Sequence, residues 1–210
     1  MTLSFHSLGL SETRSRHLEA NGFTTPTPIQ AQAIPHLLSG RDVVGQAQTG
    51  TGKTAAFSLP ILERIDVKSQ AVQALVLTPT RELAMQVCQA IRGFNDDRRL
   101  RIVSIYGGQA IDPQISRLKR GAQMVVGTPG RVLDLLSRGD LKLDQLSWLV
   151  LDEADEMLNM GFIQDVEKIL NQVPTERQTA FFSATMDPSI RKLVTKFLRS
   201  PVTITIEQPK

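Results

Sequence analysis

The octapeptide Ala47-Gln48-Thr49-Gly50-Thr51-Gly52-Lys53-Thr54 decides the fold that this sequence predicts. Its two glycines, followed by Lys and Thr, match the pattern of a loop whose backbone N–H groups surround a phosphate. That pattern requires a strand before it and a helix after it, and the apolar run 42–46 and the helical pattern from residue 55 supply both. The alternative is a turn rich in Gly and Thr with an incidental Lys. The first hypothesis is therefore a nucleotide-binding α/β domain.

The positions of this loop each have a chemical reason. A side chain in place of Gly50 or Gly52 would crowd a bound phosphate. Lys53 is long enough to reach β- and γ-phosphates, and the hydroxyl of Thr54 suits a Mg²⁺ ion that bridges them. The phosphates also lie against the positive end of the following helix. We expect the nucleotide to contact Gln48, Thr49, Gly50, Thr51, Gly52, Lys53 and Thr54.

The composition is that of an ordinary globular protein. The 210 residues suffice for one domain with a full core, and the formal charge of +3 is too small to identify a nucleic-acid partner by itself. Because Cys88 is the single cysteine, the chain forms neither an internal disulfide nor a cysteine zinc site. We find no secretory signal pattern and no apolar run as long as a membrane span. We therefore expect a cytoplasmic protein without a membrane segment.

Short apolar runs alternate with helical patterns along the chain. Runs without polar alternation are typical of strands buried on both faces, and their alternation with helices predicts a parallel β-sheet sandwiched by helices. Pro60, inside the helical pattern 54–65, predicts a kink or a break in that helix. We expect a single domain over residues 1–210. The predicted strands are 42–46, 74–77, 102–105, 124–126, 148–151, 180–182 and 202–206.

Residues 1–40 contain two predicted helices. The first extends from the N-cap candidate Ser11 to Gly22. The second begins with Thr27-Pro28-Ile29-Gln30, which has the Thr and Gln of a capping box and a Pro at the first helical position. In this interpretation the Gln30 amide bonds the backbone of Thr27 and has no further role.

The ends of the predicted strands are polar or rich in glycine. In parallel sheets, binding and catalysis concentrate at the carboxyl ends of the strands, so we expect the functional groups there. Asp152 follows one such strand, where its carboxylate suits Mg²⁺, and Glu153 is then positioned to deprotonate an attacking water. The alternative is that these acidic residues only stabilise the first turn of a helix. The strand ends in question are 78–83, 106–108, 127–131, 152–155 and 183–185.

Taken together, these motifs resemble the first RecA-like domain of the DEAD-box ATP-dependent RNA helicases, and above all that of the bacterial members. The resemblance covers nearly the whole chain from Phe5 onward, and the motifs occur in the order of the family. It implies a RecA-like P-loop NTPase fold with ATP and Mg²⁺ as cofactors. The segments that carry it are 22–30, 47–54, 79–84, 107–108, 128–131, 152–155 and 183–185.

The resemblance also assigns roles within the nucleotide site. It assigns Gln30 to adenine, and a side-chain amide is suited to pair with N6 and N7 of that base. It implies that Phe23 stacks on the adenine ring and that Thr25 belongs to the same segment, although an apolar ring before a helix start is also typical of a hydrophobic staple. Ser183 and Thr185 match the family motif that links hydrolysis to unwinding, with turn or cap residues as the alternative.

RNA contacts are implied for three strand ends. The contacts expected there involve backbone N–H groups and phosphates, so binding is independent of base sequence. An ordinary helix start is the alternative for the segment from Thr128. We interpret Arg117, Lys119 and Arg120 as a solvated helix face, with an extension of the RNA track as the alternative. The expected RNA-binding residues are Pro79, Thr80, Arg81, Gly107, Gly108, Thr128, Pro129, Gly130 and Arg131.

The resulting hypothesis is the N-terminal ATP-binding half of an ATP-dependent RNA helicase that opens short duplexes. Two alternatives stay open, an ATP-gated RNA clamp without unwinding of its own and a related DNA translocase. The family has a second RecA-like domain whose arginines complete the γ-phosphate site, and no such segment occurs in the 210 residues. We therefore expect this chain to be part of a longer protein, with residues 1–40 as its adenine-recognition segment.

Overall fold

The computed structural model describes residues 2–207, and its strands form one seven-stranded sheet. The strands are Val43–Gln46 (β1), Ala74–Leu77 (β2), Ile102–Ile105 (β3), Met124–Gly127 (β4), Trp148–Leu151 (β5), Gln178–Ser183 (β6) and Val202–Thr205 (β7). A short 3₁₀ helix, His6–Leu8, precedes the α-helices Glu12–Ala20 (α1), Pro28–Leu38 (α2), Lys53–Arg64 (α3), Arg81–Phe94 (α4), Asp112–Lys119 (α5), Pro129–Ser137 (α6), Ala154–Asn159 (α7), Ile163–Leu170 (α8) and Pro188–Phe197 (α9).

All strand pairs in the sheet are parallel, in the order β3-β4-β2-β5-β6-β1-β7. In this register Leu77 at the end of β2 lies between Gly127 of β4 and Leu151 of β5. Because the strands are parallel, their carboxyl ends meet at one edge of the sheet, which we call the carboxyl rim. All the strand ends singled out above therefore lie along the same rim.

Successive strand residues point to opposite faces of the sheet, and helices cover both faces. In β6, Phe182 packs with Phe57 of α3, whereas Phe181 packs in a second cluster with Leu193 of α9. Helices α2, α3 and α4 contribute to the first cluster, and α6, α8 and α9 contribute to the second. The predicted parallel sheet between two helical layers is confirmed.

The edge strands differ from the expectation of burial on both faces. In β3 the side chains of Val103 and Ile105 are buried, whereas Ile102 and Ser104 are only half-buried. Within residues 2–207 β3 pairs with β4 alone, so its other edge has no strand beside it. The run 102–105 is therefore an edge strand. Its apolar pattern resembles that of the central strands, so the sequence did not indicate its position at the edge.

The expected break at Pro60 does not occur, because α3 is one continuous helix from Lys53 to Arg64. Pro60 removes one backbone hydrogen bond and costs on the order of 3 kcal/mol in a helix interior. Phe57, Leu59 and Ile61 around it are fully buried, and this apolar burial offsets that cost. Within the described residues, no helix combines the length and the apolar character needed to cross a membrane.

Candidate functional site

The loop 47–52 connects β1 to α3 at the carboxyl rim. Gly50 and Gly52 have φ values of +83° and +91°, a left-handed conformation that favours glycine. The hydroxyl of Thr51 donates to the carbonyl of Gln48 at 2.7 Å and closes the turn. Gln48, Thr49 and Gly50 are exposed at the mouth of the loop, whereas Gly52 is the N-terminal cap of α3. The backbone therefore has the curled form that a phosphate-binding loop needs.

Lys53 is the first residue of α3 and is 7% exposed. In the part of the chain that the structure describes, it forms no ion pair with a carboxylate within 4.0 Å. A buried ammonium group without a close carboxylate favours an anionic ligand. Thr54 follows it in the first turn and is half-buried.

Asp152 follows β5 and is 3% exposed, with its backbone N–H bonded to the carbonyl of Leu77 at 2.9 Å. Its Oδ1 atom is buried and has no hydrogen-bond partner. Burial raises the pKa of Asp152 to about 6, the Lys53 charge opposes this shift, and the charge of Glu153 adds to it. A buried carboxylate oxygen without a partner is an unusual feature that a cation would satisfy.

The residues at this site fit a Mg²⁺ ion held chiefly by phosphates and water. The oxygens available from the chain are the carboxylate of Asp152 and the hydroxyl of Thr54, both hard ligands of the kind that Mg²⁺ takes. Among residues 2–207 no group of three or more His, Cys, Asp and Glu side chains forms a separate metal cage. Magnesium sites in phosphate-transferring proteins usually use few protein ligands in this way.

Glu153 has left-handed backbone angles, φ 54° and ψ 53°, at the N-terminal cap of α7. Among described residues other than glycine, only Ser200 shares a positive φ. A side-chain-bearing residue in this region typically costs on the order of 1–3 kcal/mol, and such strain concentrates at functional sites. The surrounding structure holds the half-buried Glu153 in this conformation at the end of β5, next to Asp152 in the chain. Nothing in the local sequence indicates it.

Thr185 and Asp155 connect two strand ends of the rim. The backbone N–H and the hydroxyl of Thr185 donate to Oδ2 of Asp155 at 3.2 and 3.3 Å. Asp187, and not Thr185, caps α9. Ser183 is the last residue of β6, and its buried Oγ has no hydrogen-bond partner. The segment 183–185 is thus bound to the acidic segment after β5 through Asp155.

Gln30 lies between the start of α2 and the phosphate loop. Its Oε1 accepts from the N–H of Thr27 at 3.0 Å, and its Nε2 donates to the carbonyl of Gly52 at 3.1 Å. The Gln30 half of the predicted capping box is therefore formed. The Thr27 side chain and the backbone N–H of Gln30 form the other half, so the predicted capping box is present. Gln30 thus has a second role that the capping interpretation omitted, namely contact with the loop.

Phe23 precedes α2 and is 40% exposed, so it is not a core residue. Its ring packs edge-on against Phe94 at the end of α4, with 5.2 Å between the centroids and 74° between the planes. This contact fixes one edge of the ring and leaves surface available for a stacked base. Thr25 is exposed in the same segment and makes no contact that singles it out.

The predicted RNA-binding residues lie on the rim at the ends of β2, β3 and β4. Thr80 caps α4 by accepting from the N–H of Leu83 at 3.1 Å, and Pro79 precedes it. The guanidinium of Arg81 lies over the ring of Tyr106, 5.2 Å from its centroid. With its amide oxygen turned towards Arg81, Gln109 accepts from both terminal nitrogens at 2.8 Å.

A second arginine belongs to the same network. Arg131 donates to Oε1 of Gln114 at 3.3 Å and to the carbonyl of Gln109 at 3.2 Å, and the buried Gln114 donates to the carbonyl of Tyr106 at 3.0 Å. Tyr106 belongs to the predicted strand end 106–108, although no role was assigned to it. Gln109 and Gln114 were not predicted, because no motif indicates them.

The helix start at Thr128-Pro129-Gly130-Arg131 is open. Thr128 has the extended backbone of an N-terminal cap but makes no side-chain capping bond. A Cβ atom added at Gly107, Gly108 or Gly130 would meet no atom within 4 Å, so space is open above these residues. Unbonded N–H groups at the start of α6 thus face open solvent, where a phosphate is a suitable acceptor.

The model of the DEAD/DEAH box helicase family matches residues 27–193 of this chain. Among curated proteins, the chain is 58% identical to the RNA helicase CrhR of Synechocystis over 99% of the chain and 42% of that protein. It is 54% identical to the ATP-dependent RNA helicase DeaD of Escherichia coli over 97% of the chain and 33% of that protein. The chain therefore spans less than half the length of these relatives.

A solved structure gives the same result for the fold. The crystal structure of a DEAD box protein from the hyperthermophile Methanococcus jannaschii superposes with a TM-score of 0.94 at 45% identity, over 98% of this chain and 56% of that one. The matched residues 27–193 include the phosphate loop, the acidic segment after β5 and the segment 183–185.

Proposed function

Because the chain belongs to the DEAD/DEAH box helicase family, we propose that it is the N-terminal ATP-binding half of an ATP-dependent RNA helicase. The observation that carries this proposal is the buried, unpartnered Oδ1 of Asp152 at the same rim as Lys53 and the phosphate loop. A carboxylate and an ammonium group buried at one edge of the sheet suit a Mg²⁺ ion and phosphates that separate them. The RNA helicase names of its relatives support the same assignment.

The proposed ATP site uses residues from three segments. Lys53 and the loop N–H groups bind the β- and γ-phosphates, and Thr54 and Asp152 hold the cation. When bound, Mg²⁺ neutralises charge that develops on the phosphates. Gln30 contacts adenine with the N–H and the carbonyl lone pair that its bonds to Gly52 and Thr27 leave available. Thr25 contacts the nucleotide as part of the same segment, together with the stacked ring of Phe23.

Hydrolysis in this proposal depends on Glu153, which accepts a proton from the water that attacks the γ-phosphate. Its strained backbone holds the carboxylate in one position, so little reorganisation precedes the proton transfer. Thr185 positions the acidic segment through Asp155, and Ser183 adds a buried hydroxyl nearby. Movement at the segment 183–185 is then transmitted directly to the residues after β5.

RNA binds along the β3 and β4 ends of the rim in this proposal. Arg81 and Arg131 pair with phosphates, and the N–H groups at Gly107, Gly108 and Gly130 donate to phosphate oxygens in the open space above them. Pro79, Thr80, Thr128 and Pro129 form the two helix starts that frame this surface. Such contacts carry no base information, so we propose binding that is independent of RNA sequence.

We propose that residues 1–210 form one ATP-binding domain, with residues 1–40 as the adenine-recognition segment, and that a second RecA-like domain on the same polypeptide completes the site. The chain spans 42% and 33% of two RNA helicase relatives, which leaves room for such a domain in proteins of that length. The second domain supplies an arginine to the γ-phosphate, a contribution typically worth about 10³ to 10⁵ in rate. A cytoplasmic location, where RNA is available, is part of the proposal.

The test is a phosphate-release assay on the 210-residue chain, with and without RNA, repeated with a second RecA-like domain on the same polypeptide. We expect ADP and Mg²⁺ binding by the chain, little RNA-stimulated hydrolysis, and recovery of hydrolysis in the longer protein. Full RNA-stimulated turnover by the chain alone would contradict the two-domain account. Release of one strand from a duplex distinguishes a helicase from an ATP-gated clamp, which instead retains single-stranded RNA, and a DNA duplex as substrate tests the translocase alternative.

A further inference from the structure

A cavity of about 700 Å³ lies at the amino end of β3, opposite the carboxyl rim. Four arginines line it, from three different parts of the fold: Arg92 near the end of α4, Arg101 just before β3, and Arg117 and Arg120 at the end of α5. All four are exposed. The remaining lining residues of this cavity are uncharged. We call it the arginine pocket.

The charges of the arginine pocket are not compensated by carboxylates. Within residues 2–207 none of the four guanidinium groups forms an ion pair. Two of them bond backbone carbonyls instead, Arg92 to Ile102 at 3.3 Å and Arg101 to Arg120. Four uncompensated charges in one pocket exceed the formal charge of +3 for the whole chain. Such a concentration of one sign attracts an anionic partner and destabilises the pocket without one.

Helix α4 and strand β3 run side by side and connect the arginine pocket to the proposed RNA surface. At one end of β3, Arg81 lies over Tyr106, and at the other end Arg92 bonds Ile102. Arg81 and Arg92 belong to the same helix, and their spacing of eleven residues brings both to one stripe of α4, about 16 Å apart. The edge strand between Arg101 and Tyr106 spans roughly the same distance. In the described part of the chain, no strand pairs with the outer edge of β3.

We propose that the arginine pocket is a second phosphate-binding site for RNA, which holds the backbone of a segment that flanks the RNA on the carboxyl rim. The proposal rests on the proposed RNA surface at that rim. Guanidinium groups form paired hydrogen bonds with phosphate oxygens, and here the chain uses arginine at four positions and not lysine. An acidic protein segment has the same sign of charge, but the continuity from Arg81 to Arg92 along the open edge of β3 favours a long polyanion.

The experiment measures RNA binding by the 210-residue chain with fluorescence anisotropy at low salt. Two single-stranded RNAs are compared, one of about six nucleotides, which covers only the rim, and one of about twenty, which reaches beyond it. The test variant carries Arg117→Glu and Arg120→Glu. The control carries Lys168→Glu and Lys192→Glu, which make the same change of charge at exposed positions of α8 and α9. A third variant carries Arg131→Ala on the rim.

We expect the unmodified chain to bind the longer RNA more tightly than the shorter one. The Arg117→Glu, Arg120→Glu variant should lose on the order of tenfold in affinity for the longer RNA. The slope of log affinity against log salt concentration should decrease in magnitude by about 1.4, which corresponds to the loss of two phosphate contacts. Its affinity for the shorter RNA should be unchanged, as should both affinities of the lysine control. A variant with Arg117→Lys and Arg120→Lys should retain the salt slope because it retains the charge.

Several outcomes would overturn the proposal. Equal binding of both RNAs by the unmodified chain, or equal losses in the pocket variant and the lysine control, would show that the pocket does not hold RNA. If Arg131→Ala weakens the binding of both RNAs while the pocket variant changes the affinity for neither, the pocket proposal fails and the rim proposal stands. If Arg131→Ala changes neither RNA, the rim proposal itself fails. A pocket variant that binds RNA normally but loses a bound acidic peptide would assign the pocket to protein.

Discussion

The side-chain amide of Gln30 donates a 3.1 Å hydrogen bond to the carbonyl of Gly52, 22 residues further along the chain. The two residues are so close that a Cβ atom at Gly52 would lie 2.4 Å from Nε2 of Gln30. The amide at the start of α2 therefore supports the phosphate loop directly. In the proposed site the second N–H of this amide is available to a base, so one side chain contacts both the base and the loop.

We predict that the chain prefers ADP to GDP and that Gln30 causes the preference. Guanine has an acceptor where adenine has an amino donor, so the carbonyl of Gln30 would lose a hydrogen bond. Calorimetry with both nucleotides measures this, and equal Kd values would refute the assignment. Gln30→Ala should remove the preference and lower the free energy of unfolding by about 1 kcal/mol through the lost cap. Gln32→Ala, an exposed position of the same helix, should change neither.

We predict that Glu153→Gln in the two-domain protein keeps nucleotide binding and loses hydrolysis. The amide has nearly the same shape as the carboxylate but cannot accept the proton of the attacking water. Lys53→Ala should weaken nucleotide binding itself, because a buried positive charge next to the phosphates is lost. Calorimetry and phosphate release separate the two effects. If Glu153→Gln hydrolyses ATP at the parental rate, Glu153 is not the base and only stabilises the helix start. Glu156→Gln, on the exposed side of α7, is the matched control.

We predict that Glu153→Gly raises the free energy of unfolding by about 1 kcal/mol while it abolishes hydrolysis. Glycine adopts the φ of 54° at this position without the strain of a side chain, and part of that gain is offset by its greater entropy when unfolded. Glu156→Gly, three residues later inside α7, should instead cost about 1 kcal/mol. Urea unfolding of both variants checks the prediction. A loss of stability in Glu153→Gly would show that the positive φ is not a source of strain.

We predict a pH dependence of stability from Asp152. Burial raises its pKa in the folded protein to about 6, above the ordinary value of 3.8, so between these values the folded state binds more protons than the unfolded state. Asp152 therefore contributes stability at low pH, and this contribution is lost as pH rises through about 6. Asp152→Asn removes the titration. The difference in free energy of unfolding between Asp152→Asn and the parent should grow by about 1 kcal/mol from pH 5 to pH 8.

The same titration predicts the effect of pH on ligand binding, since a protonated carboxyl group is a poor ligand for Mg²⁺. The affinity of the chain for ADP with Mg²⁺ should fall below pH 6, whereas the affinity for ADP with excess chelator should depend less on pH. Calorimetry at pH 5 and pH 8 measures both. An equal pH dependence with and without Mg²⁺ would remove Asp152 from the cation site.

The sequence by itself determined the sheet and the position of its loops, because both follow from local patterns. Short apolar runs separated by helical patterns can bury their side chains only as a parallel sheet between helices, and the order of elements then brings the strand ends to one rim. The glycines of the phosphate loop are equally local, since Gly50 and Gly52 adopt positive φ angles that other residues avoid. Pro60 is an exception to this local control, because its tendency to break a helix is outweighed by the burial of its neighbours in the tertiary structure.

Only the tertiary structure decided which polar groups have partners. Thr185 reaches Asp155 and Gln30 reaches Gly52 across gaps of 30 and 22 residues, while Oδ1 of Asp152 is left without a partner. The arginine pocket is assembled from α4, the residue before β3 and the end of α5, so the solvated helix face inferred from Arg117 and Arg120 is one wall of a larger feature. The physical reason is that hydrogen bonding, burial and local charge depend on distances between segments that folding brings together, and no local pattern encodes those distances.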